Sequence, residues 1–288
     1  LNAWMKAGSQ DPEVIIPLSE LLVSDNMKIA KAADEALQLI THSVGAKLTG
    51  ERWYAVVDSF VNVLNGDYPT WSKKIACRHL SKIADERFVP AIAECLDDDD
   101  LREEVVFCLE RIPGRETTEA LCEGLKEADD DFKPRILAAL GHRADPAAID
   151  AVLKERRSRK TEISLAAFRA LAHIGREAGK ENSPEFAQPK GYTETQLREF
   201  SDSCLLYIDR MLQNDCDIDA LSLYGSWLNN APQEHHRCAA IVGIANYGRK
   251  QRRDKTRQAA AEMIGKKAED KAYIVRITAQ KALESLKV

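Results

Sequence analysis

Aromatic residues and strand-forming patterns are scarce in this chain of 288 residues. Phenylalanine, tryptophan and tyrosine make up 6% of the sequence, and no alternating apolar–polar pattern of useful length occurs. No apolar run approaches the roughly 18 residues that a membrane-spanning helix needs. Hydrophobic residues still amount to 44%, with alanine and leucine frequent. This composition supports a sizeable core and favours an all-α protein without a membrane span.

A strong excess of one charge is also missing. The formal net charge is −5, although 30% of the residues are charged. Bulk electrostatics therefore predict neither a nucleic acid nor an anionic membrane surface as a partner. The high charged fraction is typical of a fold with much exposed helix surface.

The cysteines lack the spacing of a disulfide framework or a metal site. Their number is odd and no CxxC pair occurs. We expect reduced thiols in a cytoplasmic protein, and burial of Cys108 and Cys204 because both occupy small positions in the repeated pattern described below. The seven cysteines are Cys77, Cys95, Cys108, Cys122, Cys204, Cys216 and Cys238.

Motifs of catalytic and cofactor sites are absent as well. The sequence has no glycine-rich phosphate loop, no HExxH and no GxSxG. The adjacent pair His235 and His236 is a poor chelator, because neighbouring residues on a helix point about 100° apart. The acidic runs 97–104 and 127–131 precede helical segments, where carboxylates cap free N–H groups. We therefore predict no catalytic residues, no cofactor and no metal.

An internal repeat is the strongest positive signal. Near the end of the chain, Val275 and Arg276 are followed by small residues at 279 and 282 and then by a leucine. The same order of apolar, basic, small, small and leucine positions recurs along the chain, with short turns between copies. The step is 31 residues from Leu109 to Leu140, and again from Leu140 to Leu171. The copies close at Leu37, Leu80, Leu109, Leu140, Leu171, Leu205, Ile244 and Leu283.

Most copies follow another helix-like segment and a turn, so each repeat reads as a helix pair. The period predicts a right-handed α-solenoid, or superhelix, of about seven to eight antiparallel helix pairs. The basic position flanks the apolar stripe of the second helix. A long basic side chain there can reach the carboxylates of a turn, which predicts a structural role for Arg276.

The segment "RFVPAIAECLDDDDLREEVVFCLERI" (87–112) resembles the HEAT-repeat family in its short bacterial, phycobilisome-lyase-like form. The resemblance covers residues 12–288 and implies one HEAT-like repeat domain over 1–288. In that family the base of the second helix commonly pairs with an aspartate in the preceding turn. Asp67 with Lys73 and Asp270 with Arg276 have the spacing that this pairing implies.

Residues 176–195, "REAGKENSPEFAQPKGYTET", interrupt the pattern and predict an irregular insertion. Two interpretations of the following region stay open. In the first, the insertion replaces a first helix, and the template match at 197–205 marks a second helix. In the other, 195–213 is a first helix and 217–230 is its partner. The template match favours the first interpretation.

A partner-binding surface is predicted from the positions two residues before and after each closing residue. These positions face away from the apolar stripe and carry bases, histidines and aromatics in the middle repeats, which are residues that anchor partners. His142 and His173 hold equivalent positions 31 residues apart and should be neighbours. The predicted surface comprises Arg78, Phe107, Arg111, His142, Arg169, His173 and Tyr207.

The sequence thus predicts a monomeric, non-catalytic scaffold that binds a protein or peptide, with an acidic one favoured, on its concave face. A second basic surface is the rim within 249–257, formed by Arg249, Lys250, Arg252 and Arg253. It lacks the interleaved aromatics of single-strand binders. The family resemblance also implies an alternative, an enzyme of HEAT-like fold resembling a bilin lyase or a DNA glycosylase.

Overall fold

The computed structural model describes residues 12–45, 48–175, 191–214, 219–231, 233–250 and 254–286. Within these ranges the chain forms α-helices, short 3-10 helices and turns, and no strand. The all-α class predicted from the sequence is confirmed for this part of the chain. None of its helices is both long and apolar enough to cross a bilayer.

The chain divides into two compact units, Leu1–Ala148 and Ile149–Val288. The single domain expected over 1–288 stays a prediction. In the first unit the helices are α1 (Ile15–Leu21), α2 (Met27–Gly45), α3 (Glu51–Asn65), α4 (Thr70–Ile83), α5 (Val89–Ala93), α6 (Arg102–Arg111), α7 (Arg115–Glu127) and α8 (Lys133–Arg143). Short 3-10 helices lie at Pro12–Val14, Glu86–Phe88, Glu94–Asp97 and Pro146–Ala148.

The first unit consists of two layers of helices. The first helices of the pairs, α1, α3, α5 and α7, pack on one another in chain order, and so do the second helices, α2, α4, α6 and α8. Each first helix also packs on the second helix that follows it. Asp98 and Asp129 accept backbone N–H bonds in the turns before α6 and α8, at 2.9 Å in both cases. The N-cap residues of α6 and α8 are Leu101 and Phe132, and neither makes a side-chain cap. The aspartates therefore close the preceding turns, and the expected capping of the helices themselves is not seen.

The second unit contains α9 (Ile149–Arg156), α10 (Thr161–Ile174), α11 (Glu194–Gln213), α12 (Ala220–Asn230), α13 (Glu234–Lys250), α14 (Asp254–Gly265) and α15 (Tyr273–Leu286). α11 packs on α10 and also contacts α13, while α12 pairs with α13. α11 therefore lies in the row of second helices, as the template match at 197–205 predicted. Residues 176–190 of the predicted insertion lie outside the described residues, and Thr193 starts α11 with a capping box to Gln196.

The closing residues of the repeat form the core of each unit. Seven of the eight are buried, and Leu283 is half-buried. Cys108 and Cys204 are both 0% exposed and free, so the predicted burial of these two thiols is confirmed. The stripe read from the sequence is therefore the buried stripe of the second helices.

The charged contacts between repeats differ from those implied by the family resemblance. Arg102 binds Asp129 of the following turn at 2.7 Å as well as Asp99 of its own turn at 3.0 Å. Arg276 donates to the backbone carbonyls of Asp270 and Lys271, at 2.7 and 3.0 Å, rather than to a carboxylate. Among the contacts of the described residues, no ion pair joins Lys73 to Asp67. Arg102 and Arg276 therefore bind residues of the turns, as predicted. Their acceptors are the carboxylate of the following turn and backbone carbonyls, in addition to the aspartate of the preceding turn that the family pattern implies.

Arg143 is a structural base that the repeat pattern did not identify. From the end of α8 its guanidinium donates to the carbonyls of Leu109, Glu110 and Ile112, at 3.1, 3.2 and 2.6 Å. It also donates to the carbonyl of Gly114 at 2.6 Å and to the hydroxyl of Thr118 at 3.2 Å. Carbonyls in the last turn of a helix have no intrahelical partner, so Arg143 caps α6 and fixes the turn into α7.

Candidate functional site

The exposed surface of α2, α4, α6 and α8, here called the second-helix face, carries three pockets. They adjoin one another because they share lining residues, and Lys82 lines all three. Arg78 lines two of them. The row of second helices in the first unit therefore presents one continuous indented surface, and Lys82 is common to all of its pockets.

One of these pockets brings together four of the seven residues predicted to bind a partner. It has a volume of about 700 Å³. The repeat register places their side chains on successive second helices, so they converge although they are far apart in sequence. The lining residues are Arg78, Ser81, Lys82, Phe107, Glu110, Arg111 and His142.

The pocket has an excess of positive charge. Glu110 is the acid among its lining residues, and it already contacts His142 at 3.1 Å and Arg135 at 3.4 Å. The guanidinium of Arg111 lies over the ring of Phe107, 4.1 Å from its centroid, a cation–π contact that holds the cation in place. Arg78 makes a longer contact to Glu104, at 3.8 Å.

Each pocket also contributes one large exposed apolar side chain. Leu39 is 55% exposed, Trp71 48% and Phe107 36%, and they line the three pockets in turn. Large apolar side chains beside bases are typical of protein interaction sites. Sequence reasoning missed Trp71, which directly precedes one copy of the template; its size at the start of a helix was the available signal.

A buried polar pair lies beneath this surface. His79 is 3% exposed, stacks on Phe60 with ring centroids 4.8 Å apart, and shares a hydrogen bond with Thr41 at 2.8 Å. Burial, with a smaller contribution from the nearby charge of Lys82, lowers the pKa of His79 to about 4. The imidazole is therefore neutral at neutral pH.

The predicted site residues of the second unit are arranged differently. Arg169 is exposed and pairs with Glu199 at 2.8 Å, and His173 is half-buried. Tyr207 is only 3% exposed and packs with Ala172 and Met211. The expectation that Tyr207 faces solvent is wrong, because Tyr207 lies on the side of α11 that packs against α10.

The proximity of His142 to His173 relates the two units and stays a prediction. Of the alternative basic rim, Arg249 and Lys250 end α13 and are exposed, and Arg249 donates to Asn246. Arg252 and Arg253 lie outside the described residues.

The adjacent histidines of the second unit gain a third neighbour from the fold. His236 in the first turn of α13 is 1% exposed, and its Nε2 lies 2.9 Å from Oδ1 of Asp202 on α11. The ring of His235 lies 4.0 Å away, centroid to centroid. Burial lowers the pKa of His236, against the opposing effect of the Asp202 hydrogen bond. Within the described ranges this is the one group of histidine, cysteine and acidic side chains close enough to hold a metal ion.

Comparisons with known proteins give weak structural similarities. Neither a protein-family model nor a curated protein sequence matches the chain. Human deoxyhypusine hydroxylase in complex with glycerol aligns over 85% of this chain and 99% of its own, with 13% identity and a TM-score of 0.41. The CpcE–CpcF complex of phycocyanin lyase from Nostoc sp. PCC7120 aligns over 96% and 94%, with 15% identity and a TM-score of 0.37.

An engineered protein aligns over 95% of this chain and 68% of its own, with 18% identity and a TM-score of 0.33. Because all three TM-scores are below 0.5, neither a fold family nor a function is transferred to this chain from these structures.

Proposed function

We propose that this protein is a non-catalytic scaffold of HEAT-like helix pairs, wound as a right-handed solenoid, and that it binds an acidic segment of a partner protein on the second-helix face. The supporting observation is the convergence of three adjoining pockets on Lys82, with Arg78 and Arg111 beside it. Stacked helix pairs provide extended surfaces of this kind.

The chemistry of the face defines the partner. Carboxylates of the partner would bind Lys82 and Arg111, and the guanidinium of Arg111 can accept a carboxylate in bidentate geometry because its other contact is with the face of a ring. Apolar side chains of the partner would occupy the pockets beside Leu39 and Trp71. An acidic segment with interspersed leucine or phenylalanine satisfies both requirements.

A charge-matched pair of double variants tests this proposal. The probe is a fluorescein-labelled peptide of alternating glutamate and leucine, and its affinity is measured by fluorescence anisotropy. We expect Lys82→Ser with Arg111→Ser to weaken binding at least tenfold, since anchoring residues contribute about 1–2 kcal/mol or more. The control, Arg115→Ser with Lys126→Ser, removes the same charge from exposed positions on α7 and should bind as the parent does.

Two outcomes would contradict the proposal. Equal weakening by both double variants would show that the peptide responds only to net charge. Unchanged binding in the Lys82 and Arg111 double variant, with loss of binding on changing Arg249 and Lys250, would move the site to the basic rim. Copurification followed by mass spectrometry then identifies the natural partner, and recovery of a tetrapyrrole or a nucleic acid would favour the enzyme alternative.

A further inference from the structure

We propose that Asp202, His235 and His236 form a binding site for a divalent transition-metal ion such as Zn²⁺. The three side chains each offer a ligand atom, and these atoms all lie within 4.8 Å of one another. The site is confined to the second unit and is independent of the proposed partner surface. Two imidazole nitrogens and a carboxylate oxygen, completed by water, are a ligand set that such ions accept.

The geometry requires little rearrangement on the buried side of the site. Zn²⁺ binds nitrogen and oxygen ligands at about 2.0–2.2 Å, so two ligand atoms on one tetrahedral ion lie roughly 3.3 Å apart. The present separation between Nε2 of His236 and Oδ1 of Asp202 is 2.9 Å. A small opening of this pair admits an ion between the two atoms. His235 is exposed and can rotate to supply the third ligand.

Adjacent histidines on a helix are poor chelators because their side chains point in different directions, but the surroundings of this pair offset that difference. His236 is held by burial, at 1% exposure, while Asp202 remains 63% exposed at its side chain. One imidazole is therefore fixed, and the two other ligands are free to adjust around the ion and leave a route for it from solvent. Because Asp202 and His235 can rotate towards the fixed imidazole of His236, the three side chains need not point at one position before the ion binds.

Unpartnered atoms beside the site also point to a ligand. Nδ1 of His236 and Oε1 of Gln233 are buried without a hydrogen-bond partner among the described residues. Binding of a metal through Nε2 places the imidazole proton on Nδ1, which becomes a donor. Gln233 directly precedes α13, three residues before His236, and a rotation of its side chain would let its carbonyl oxygen accept this proton. Such a second hydrogen bond commonly orients a metal-binding histidine.

The test uses Co²⁺ as a spectroscopic probe on the purified full chain without an affinity tag. We expect one equivalent to bind with the visible absorption of a tetrahedral site and without thiolate charge-transfer bands. Asp202→Asn and His235→Gln change exposed residues, so folding should be preserved, and each should weaken Co²⁺ binding at least tenfold. His42→Gln, at an exposed histidine of α2, is the matched control and should leave the affinity unchanged.

A neighbouring cation allows a test in the opposite direction. Arg198 precedes Asp202 by four residues on α11 and therefore lies on the same side of that helix, so its charge repels a cation at this position. Arg198→Gln should therefore strengthen Co²⁺ binding. The proposal is overturned if no Co²⁺ binds at millimolar concentration, if Asp202→Asn and His235→Gln bind as the parent does, or if thiolate bands show that cysteines hold the ion.

Discussion

Replacing Arg143 with methionine should destabilise the first unit by about 3 kcal/mol. Methionine keeps an apolar stem of similar length but removes the five hydrogen bonds that the guanidinium makes around the end of α6. A hydrogen bond to a charged group contributes roughly 1.5–3 kcal/mol when its partner is left unsatisfied. Water can reach part of this half-buried side chain and replace some of the lost bonds, so the total falls well below the sum.

Urea unfolding followed by far-ultraviolet circular dichroism measures this loss. Arg135→Met is the matched control, because Arg135 makes ion pairs with Glu103 and Glu110 at 3.1 and 3.4 Å rather than capping a helix. Such partly exposed pairs contribute about 1 kcal/mol or less. Arg143→Lys should be intermediate, since an ammonium has three donors and no planar fork.

The capping argument would be refuted in either of two ways. Arg143→Met could unfold within about 0.5 kcal/mol of the parent, the range typical of an ordinary surface substitution. Alternatively, the control could lose as much stability as Arg143→Met. In the second case the guanidinium would contribute charge rather than directed hydrogen bonds.

Two further predictions concern titration and reactivity in the core. The folded pKa of His79, about 4, lies below its ordinary value of 6.5, so the unfolded chain takes up this proton first. The contribution of neutral His79 is therefore fully present above pH 6.5 and falls by up to about 1.4 kcal/mol per pH unit as the pH drops towards 4. Urea titrations should show this loss in the parent but not in His79→Gln; identical pH profiles would contradict it. Native-state labelling read by mass spectrometry should modify half-buried Cys122 before Cys108 and Cys204, whose thiols are fully buried and whose pKa values burial raises. Rapid labelling of the latter two would contradict the register of the second helices.

The sequence was sufficient for the rows of second helices because it repeats one local pattern. The small residues and the closing leucine mark the stripe that packs inward, so Leu109 and Leu140 are recognisable as core without knowledge of their neighbours. The same register brought Arg78, Phe107, Arg111 and His142 into one pocket. Residues at equivalent positions of successive repeats lie side by side in a regular stack, so the period alone places their side chains on one surface.

Contacts that depend on irregular packing could not be predicted in this way. Tyr207 occupies a position that faces solvent in a regular repeat, but α11 lies against α10 and buries it. Asp202 approaches His236 across two helices that are 34 residues apart at this point, and no spacing rule connects them. The role of Arg143 could not be predicted either. Its acceptors are mainly backbone carbonyls, which every residue has, so no residue type in the sequence marks them.

Lys82 links the surface of the first unit to its interior through charge alone. It lines all three pockets, and its ammonium disfavours protonation of His79, which lies buried below. A carboxylate bound beside Lys82 would offset that charge and let the imidazole gain a proton at a higher pH. Engagement of an acidic ligand would then be accompanied by net proton uptake near pH 4, where His79 titrates, although His79 itself is too deeply buried to recognise the ligand.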